Sequence, residues 1–335
     1  MLSAPALSAV ILQYHHVSSE TPAITSVSSH TFLTHMNYLK AQGYKVVALP
    51  QLIAKIRAKQ AIDDKTVVIT FDDGYRNVYQ NARPILKQFD WPYTVFINPK
   101  AIDDKYANHM SWAQIRQITG EKATIANHTM LHDYLVRLPA GLTGKQWLSK
   151  VEQDIKLAES RIVAQTGQNH QMLAYPYGEF SLSVQKLLKD NGFIGFGQHS
   201  GAVGLTTDLS RIPRFPASGR YAKMDSLAIK IASLAMPVIA LKNANPVIAQ
   251  NPPTLMVTVD NQDFLPRTVQ CFIGSGRAQV KWLEPPTNTA KTVNTFTVSA
   301  SHKLPKERSR YNCTAPSIAK PDRFYWFSQP WINLD

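Results

Sequence analysis

Short apolar runs and helix-like stretches alternate over residues 8–235. Residues 9–14 read as an apolar strand. Residues 66–71 (TVVITF) form an uninterrupted, β-branched run, the pattern of a parallel strand buried on both faces. Further strands are predicted over 45–48, 93–97, 124–126 and 172–175. Helical patterns lie between them, over 31–42, 49–59, 76–89, 112–118, 144–165 and 181–191; in the first, Phe32, Met36 and Leu39 share one face. This alternation predicts an α/β fold, a parallel sheet or barrel with its helices outside. Near residue 236 the pattern changes. Strand-like runs follow one another over 254–259, 268–273, 278–283, 292–300, 309–313 and 323–327, separated by turn residues and by no helix. The last 100 residues hold 11 of the 21 prolines. A small all-β, sandwich-like domain over 254–335 is expected, joined to a catalytic domain over 1–235 by a linker at 236–253.

Composition narrows the function classes. With 44% hydrophobic and 18% charged residues the chain can build a sizeable core, which excludes a disordered protein. The most apolar late stretch, 227–241, is interrupted by Lys230 and Pro237, so no transmembrane segment is expected. Residues 1–13 lack a basic leader region, so an intact secretory signal is not expected there. The net charge is +13, which permits a polyanionic partner. Yet the closest approach to a basic run, Lys303, Lys306, Arg308 and Arg310, is spaced and contains Glu307, and no nucleic-acid-binding motif is present. Cys271 and Cys313 are the only cysteines. Neither has a C-x-x-C neighbour, so a cysteine zinc site is not expected. They form either one disulfide, if the protein is exported, or two buried thiols.

Candidate chemistry gathers where the strands end. Asp72 and Asp73, in Thr70-Phe71-Asp72-Asp73-Gly74, close the TVVITF strand. The C-terminal ends of parallel strands are where α/β active sites form. Two other pairs, Asp63-Asp64 and Asp103-Asp104, have no strand before them and read as solvated surface. His128 and His132 follow the strand at 124–126, and at i, i+4 they share a face if that segment is helical. With Asp73 they make a three-ligand metal set that leaves positions open for water and substrate. His15 follows the first strand, in the position of a general acid, while His16 points to the opposite side. Tyr175-Pro176-Tyr177-Gly178-Glu179 makes a tight loop whose backbone N–H can face an oxyanion. Arg214 is placed to pair with a catalytic carboxylate and keep it ionised.

Together these residues resemble the polysaccharide deacetylase family, carbohydrate esterase family 4. TFDDG matches its first motif and His128-Thr129-Met130-Leu131-His132 its second, H-[ST]-x-x-H. Tyr175-Pro176-Tyr177-Gly178 resembles the third, with Ala174 in the place of the motif arginine. Leu12-Gln13-Tyr14-His15 is similar to a motif that usually ends the domain, which suggests the circularly permuted poly-N-acetylglucosamine deacetylase branch; Met110-Ser111-Trp112 and Ile212-Pro213-Arg214-Phe215 resemble that branch too. The resemblance covers roughly residues 8–220. It implies a distorted (β/α) barrel and metal-dependent removal of N-acetyl groups from an N-acetylglucosamine-containing polysaccharide, with release of acetate. It implies Asp73, His128 and His132 as ligands of a divalent ion, zinc by preference. Asp72 would be the base, His15 the acid and the Tyr177 N–H an oxyanion donor, with Arg214 replacing the missing arginine. An exported enzyme, periplasmic or extracellular, is then expected, and with it a Cys271–Cys313 bridge. Four other readings stay open on the residues alone: an O-acetyl esterase on a plant polysaccharide, a non-catalytic polysaccharide-binding module, a non-haem iron oxygenase and a basic nucleic-acid binder.

Overall fold

In the computed structural model, residues 8–260, 263–283 and 293–335 are described. Residues 1–7, part of the leader reading, and Thr292 lie outside them.

Six parallel strands form the body of a curled sheet. Their order across it is Ser8–Tyr14, Thr66–Phe71, Tyr93–Ile97, Ala123–Asn127, Met172–Ala174 and Ile194–Phe196. Side chains alternate between two environments, as the two-residue period of a strand requires. Ala9, Ile11, Val68, Phe96 and Ala174 fill the inside of the curl, and helix Leu49–Arg57 covers one end through Leu49, Leu52, Ile53 and Ile56. Val10, Leu12, Val67, Ile69 and Phe71 face outward onto helix Ser29–Ala41 through Phe32, Met36 and Leu39. The same alternation carries Gln13, Thr70 and Asp72 inward at the C-terminal mouth. One further segment bridges the two edges of the curl. Ile212 pairs with Phe196 on one side, and the Phe215–Pro216 strand pairs with Leu12 and Gln13 on the other. Arg214 lies between them and is fully buried.

The Ile194–Phe196 strand is absent from the sequence reading because it is three residues long and contains Gly195. Residues 76–89, expected as one helix, divide into a wide π-type turn over Val78–Ala82 and helix Arg83–Gln88.

The second sheet has eight strands and folds over on itself. The first half of Gly276–Trp282 pairs with Gln270–Ile273, and its second half pairs with Val293–Ser299. The two halves thus face each other around Val257, Phe296, Tyr311 and Trp331. The stretch 236–253 is not simply a linker: Val238–Lys242 is a strand of this sheet, paired with Thr254–Asp260. The Asn, Pro and Ala that suggested a linker lie almost wholly outside this strand, whose VIALK sequence has no proline.

Cys271 and Cys313 sit directly opposite each other on adjacent strands and are bonded. The bridge closes a segment with a sequence separation of 42. In the chain-entropy picture this stabilises the second sheet by about 4 kcal/mol. Thiol titration of the unfolded, unreduced protein is expected to find no reactive cysteine; finding two would remove the bridge.

The barrel and the second sheet are joined by more than the chain. Leu234–Ala235 pairs with the Phe324–Asn333 strand, and Trp326 packs edge-on against Phe215 at 5.3 Å. Asp64 accepts from Lys320 and from Arg323, both at 2.8 Å, and those bonds outweigh burial and lower its pKa to about 2. Asp64 is exposed, in keeping with its reading as solvated surface, but it is also paired across the junction. Asp103 is likewise tied, accepting from the Trp112 indole at 2.7 Å and from Arg161 at 2.8 Å. Isolated charge pairs in sequence say nothing about partners more than 50 residues away.

Candidate active site

Asp72 continues the inward face of its strand, so it enters the barrel mouth fully buried. Its carboxylate takes a two-pronged ion pair from Arg214, Nη1 to Oδ1 at 2.6 Å and Nη2 to Oδ2 at 2.8 Å. Gln13 Nε2 donates to Oδ2 at 2.6 Å. Burial works to raise the Asp72 pKa; the Arg214 charge overcomes it, so the group is held below the usual carboxylate value. Arg214 is itself fixed: Nε donates to the Gly197 carbonyl at 2.9 Å, and the guanidinium lies 5.1 Å from the Phe96 ring. His15 Nε2 stands 3.9 Å from Asp72 Oδ2, and its side chain is 20% exposed.

Strand alternation would turn Asp73 outward. Asp73 and Gly74 instead take left-handed backbone, φ 72° and 75°, and the chain swings back across the rim. Only glycine fits at 74, where a Cβ would lie 2.9 Å from Ile97 Cγ2. Asp73 Oδ1 then sits 3.2 Å from Nε2 of both His128 and His132. Tyr75 stacks on His16 at 3.7 Å, and burial first, then the neighbouring Asp73 carboxylate, raise its pKa. His16 faces away from Asp72 and binds Asn77 at 2.9 Å.

The two histidines meet without a helix, which corrects the i, i+4 helical reading. Residues 128–132 form a loop, with Thr129 and His132 left-handed at φ 66° and 60°. Asp154 on helix Gly144–Thr166 shapes it by accepting from the Met130 and Leu131 amides at 2.9 and 3.2 Å. Asn127 Oδ1 accepts from the Thr129 amide, and Thr129 Oγ1 from the His132 amide. The His128 Nδ1–H donates to the Ala174 carbonyl at 2.7 Å, since a carbonyl only accepts. In the neutral ring, Nε2 therefore carries the lone pair that faces Asp73.

One donor atom from each of Asp73, His128 and His132 lies within 4.8 Å of the others. Two imidazoles and a carboxylate, one imidazole oriented by a backbone carbonyl, are the chemistry of a divalent-metal site with open positions. The site can hold such an ion.

Tyr177 completes the rim from a left-handed turn, φ 58° and ψ 3°. Its ring stacks on Tyr134 at 4.0 Å and meets His132 edge-on at 4.8 Å. The second sheet reaches this loop. Arg308 donates to the Tyr177 carbonyl at 2.8 Å, and Arg137 joins buried Glu179 to Glu307. Left-handed backbone at Asp73, Thr129, His132 and Tyr177 thus gathers at this rim.

The structure thus brings Asp72, Arg214 and His15 together on one side and Asp73, His128, His132 and Tyr177 on the other. Sequence reading missed Gln13, Tyr75, Tyr134, Arg137, Glu179 and Arg308. Gln13 had a signal, a lone amide inside an apolar strand and two residues before His15, and Tyr75 directly follows the Asp72-Asp73-Gly74 turn; Tyr134, Arg137, Glu179 and Arg308 meet partners that are distant in the chain.

An ionised carboxylate beside an aspartate–histidine–histidine set, at the mouth of a curled parallel sheet, is an arrangement suited to metal-assisted hydrolysis. Residues 59–195 match the polysaccharide deacetylase family. The poly-β-1,6-N-acetyl-D-glucosamine N-deacetylase of Staphylococcus epidermidis is 30% identical over 233 residues, 63% of this chain and 79% of that one. The YxkH protein of Bacillus subtilis is 30% identical over 198 residues, 59% of this chain and 64% of its own length. For the Escherichia coli K12 poly-β-1,6-N-acetyl-D-glucosamine N-deacetylase the figures are 23% over 242 residues, 61% of this chain and 36% of that one. Two solved structures share the fold: the Streptococcus pyogenes deacetylase PplD, with TM-score 0.60, 19% identity and 68% and 99% of the two chains covered, and IcaB of Ammonifex degensii, with 0.59, 22%, 68% and 97%. The chain belongs to the polysaccharide deacetylase family. Among the described residues, no helix is long and apolar enough to cross a membrane.

Proposed function

We propose that this protein removes N-acetyl groups from an N-acetylglucosamine-containing polysaccharide, releasing acetate and leaving free amines. The observation that carries the reading is the pairing of two neighbouring carboxylates with opposite partners: Asp72 with Arg214, Asp73 with two imidazoles. The names of the Staphylococcus epidermidis and Escherichia coli relatives support the substrate class. In this reading residues 1–235 are the catalytic unit.

Asp73, His128 and His132 would hold the ion, and zinc suits the donor set. When bound, such an ion polarises an acetyl carbonyl and makes water more acidic. Asp72 stays ionised at neutral pH and takes the proton of the attacking water. Arg214 and Gln13 aim that carboxylate and keep it from rotating. The Tyr177 N–H faces the oxygen that gains charge, on a loop held by Arg308. His15, on the other side of Asp72, gives a proton to the departing amine nitrogen. An iron oxygenase uses a similar ligand set but leaves the buried Asp72–Arg214 pair without a task. The disulfide supports an exported protein.

Acetate release from N-acetylglucosamine polymers, with and without added metal, tests the reading. His128→Ala is expected to lose both the ion, by elemental analysis, and activity. Full metal retention would sink the ligand assignment.

A further inference from the structure

A cationic cluster lies where the barrel meets the second sheet, outside the site described above. Tyr221 is its centre. Arg220 Nη2 and Arg310 Nη2 both donate to the Tyr221 hydroxyl oxygen, at 2.7 and 3.1 Å. Lys230 Nζ lies 4.8 Å from the Tyr221 ring centroid, and the Arg220 and Arg310 guanidinium carbons lie at 4.9 and 5.8 Å. Three cations thus surround one phenol. Among the described residues none of the three has a carboxylate within ion-pair distance, a condition shared by other surface cations such as Lys59 and Arg116, which bond a carbonyl and an amide oxygen; what sets the cluster apart is that three cations converge on one phenol.

A phenol holds cations but does not neutralise them. Its oxygen accepts from both arginines, which leaves its own O–H free to donate. Burial first, and then repulsion from Arg310 and Arg220, lowers the Lys230 pKa to about 8. Such a group lacks only an anion.

The cluster also has an address. Arg310 Nη1 donates to the Gln198 carbonyl at 3.3 Å, and Gln198 packs against Gly178 of the Tyr177 loop, where a Cβ would lie 2.7 Å from Gln198 Cβ. Two residues earlier on the same face of the strand, Arg308 holds the Tyr177 carbonyl. On the barrel side, the segment bearing Arg220 and Tyr221 begins at Ala217, whose amide donates to the Gln13 carbonyl. Both connections lead from the cluster to segments that also carry active-site residues, the Tyr177 loop and the strand of Gln13.

We propose that Arg220, Tyr221, Lys230 and Arg310 form a subsite for an anionic group, a carboxylate or a phosphate, carried by the polysaccharide close to the N-acetylglucosamine unit being deacetylated. The subsite rests on the deacetylase reading for its substrate, but its binding chemistry is separate. It selects polymers in which N-acetylglucosamine is accompanied by an acidic substituent.

The test uses the full-length, metal-loaded protein and three length-matched N-acetylglucosamine oligomers: neutral, succinyl-ester carboxylated and phosphorylated. At low salt the anionic oligomers are expected to show about tenfold higher kcat/KM than the neutral one, through KM. The advantage should shrink toward none at about 0.5 M salt, where screening is short-ranged. Which of the two anions gains more identifies the substituent. Arg220→Gln/Lys230→Gln is expected to abolish the advantage while leaving turnover of the neutral oligomer unchanged. The single exposed Arg220→Gln should reduce the advantage about threefold, which separates the effect from misfolding. Equal kcat/KM for all three oligomers, or an advantage that survives the double substitution, would overturn the subsite. If no oligomer is deacetylated, the deacetylase reading fails. Calorimetry then decides the subsite by itself: tighter binding of the anionic oligomers, lost in the double variant, supports it, and equal binding rejects it.

Discussion

Asp72→Asn is expected to keep the metal and lose roughly 10²- to 10⁴-fold in turnover, the usual worth of a general base. Shape is preserved. An asparagine oxygen can still accept from Arg214 Nη1, its amide nitrogen gives up the Nη2 bond but can face Gln13, and the buried Gln13 Oε1, which has no partner at present, becomes an acceptor if the Gln13 amide turns over. Asp73, His128 and His132 are untouched, so elemental analysis should find the ion in place. Near-native acetate release from this variant would remove Asp72 from the chemistry. His15→Ala separates the acid from the base. It should also retain metal, and it should slow an N-acetyl amide far more than an activated ester, because an amine leaves poorly without a proton. An equal loss on both substrates would show that His15 only shapes the site.

Arg214→Met should be the most destabilising single change. The wild-type pair is wholly buried, and removing one partner of such a pair costs about 3–5 kcal/mol. The pH dependence should change sign as well. In the wild type, the lowered pKa of Asp72 contributes stability at neutral pH, lost as the pH falls through its folded value. Without the guanidinium, burial is the leading influence and raises that pKa. The folded state then holds the Asp72 proton more tightly than the unfolded chain does, so this contribution is present at low pH and lost as the pH rises. Urea unfolding of the metal-free protein at several pH values checks both points. Equal stability of variant and wild type at neutral pH would show that the pair is not structurally important.

The proposed ligands and the proposed base were legible as candidates because each lies at a strand end, within a few residues of an apolar run whose period reveals the strand. TVVITF announces a buried parallel strand, and Asp72 and Asp73 directly follow it. His128 and His132 follow the Ala123–Asn127 strand in the same way. Local sequence could not say how these residues face. Alternation predicts Asp72 inward and Asp73 outward, and Asp73 reaches the histidines only because residues 73 and 74 adopt left-handed backbone. Helical spacing would have joined His128 to His132, yet a loop tied down by Asp154 does so.

Sequence by itself determined the class of fold, the change to β structure near residue 236 and the choice of Asp73, His128 and His132 as the proposed metal donors, because periodicity and short motifs are properties of neighbouring residues. Tertiary structure decided the rest. It brought Arg214 to Asp72 across 142 positions, Cys271 to Cys313 across a sheet and Arg308 to the Tyr177 loop across 131. Those contacts depend on how the barrel closes and how the second sheet docks. Both are set by the packing of whole surfaces, which no local pattern in the chain encodes.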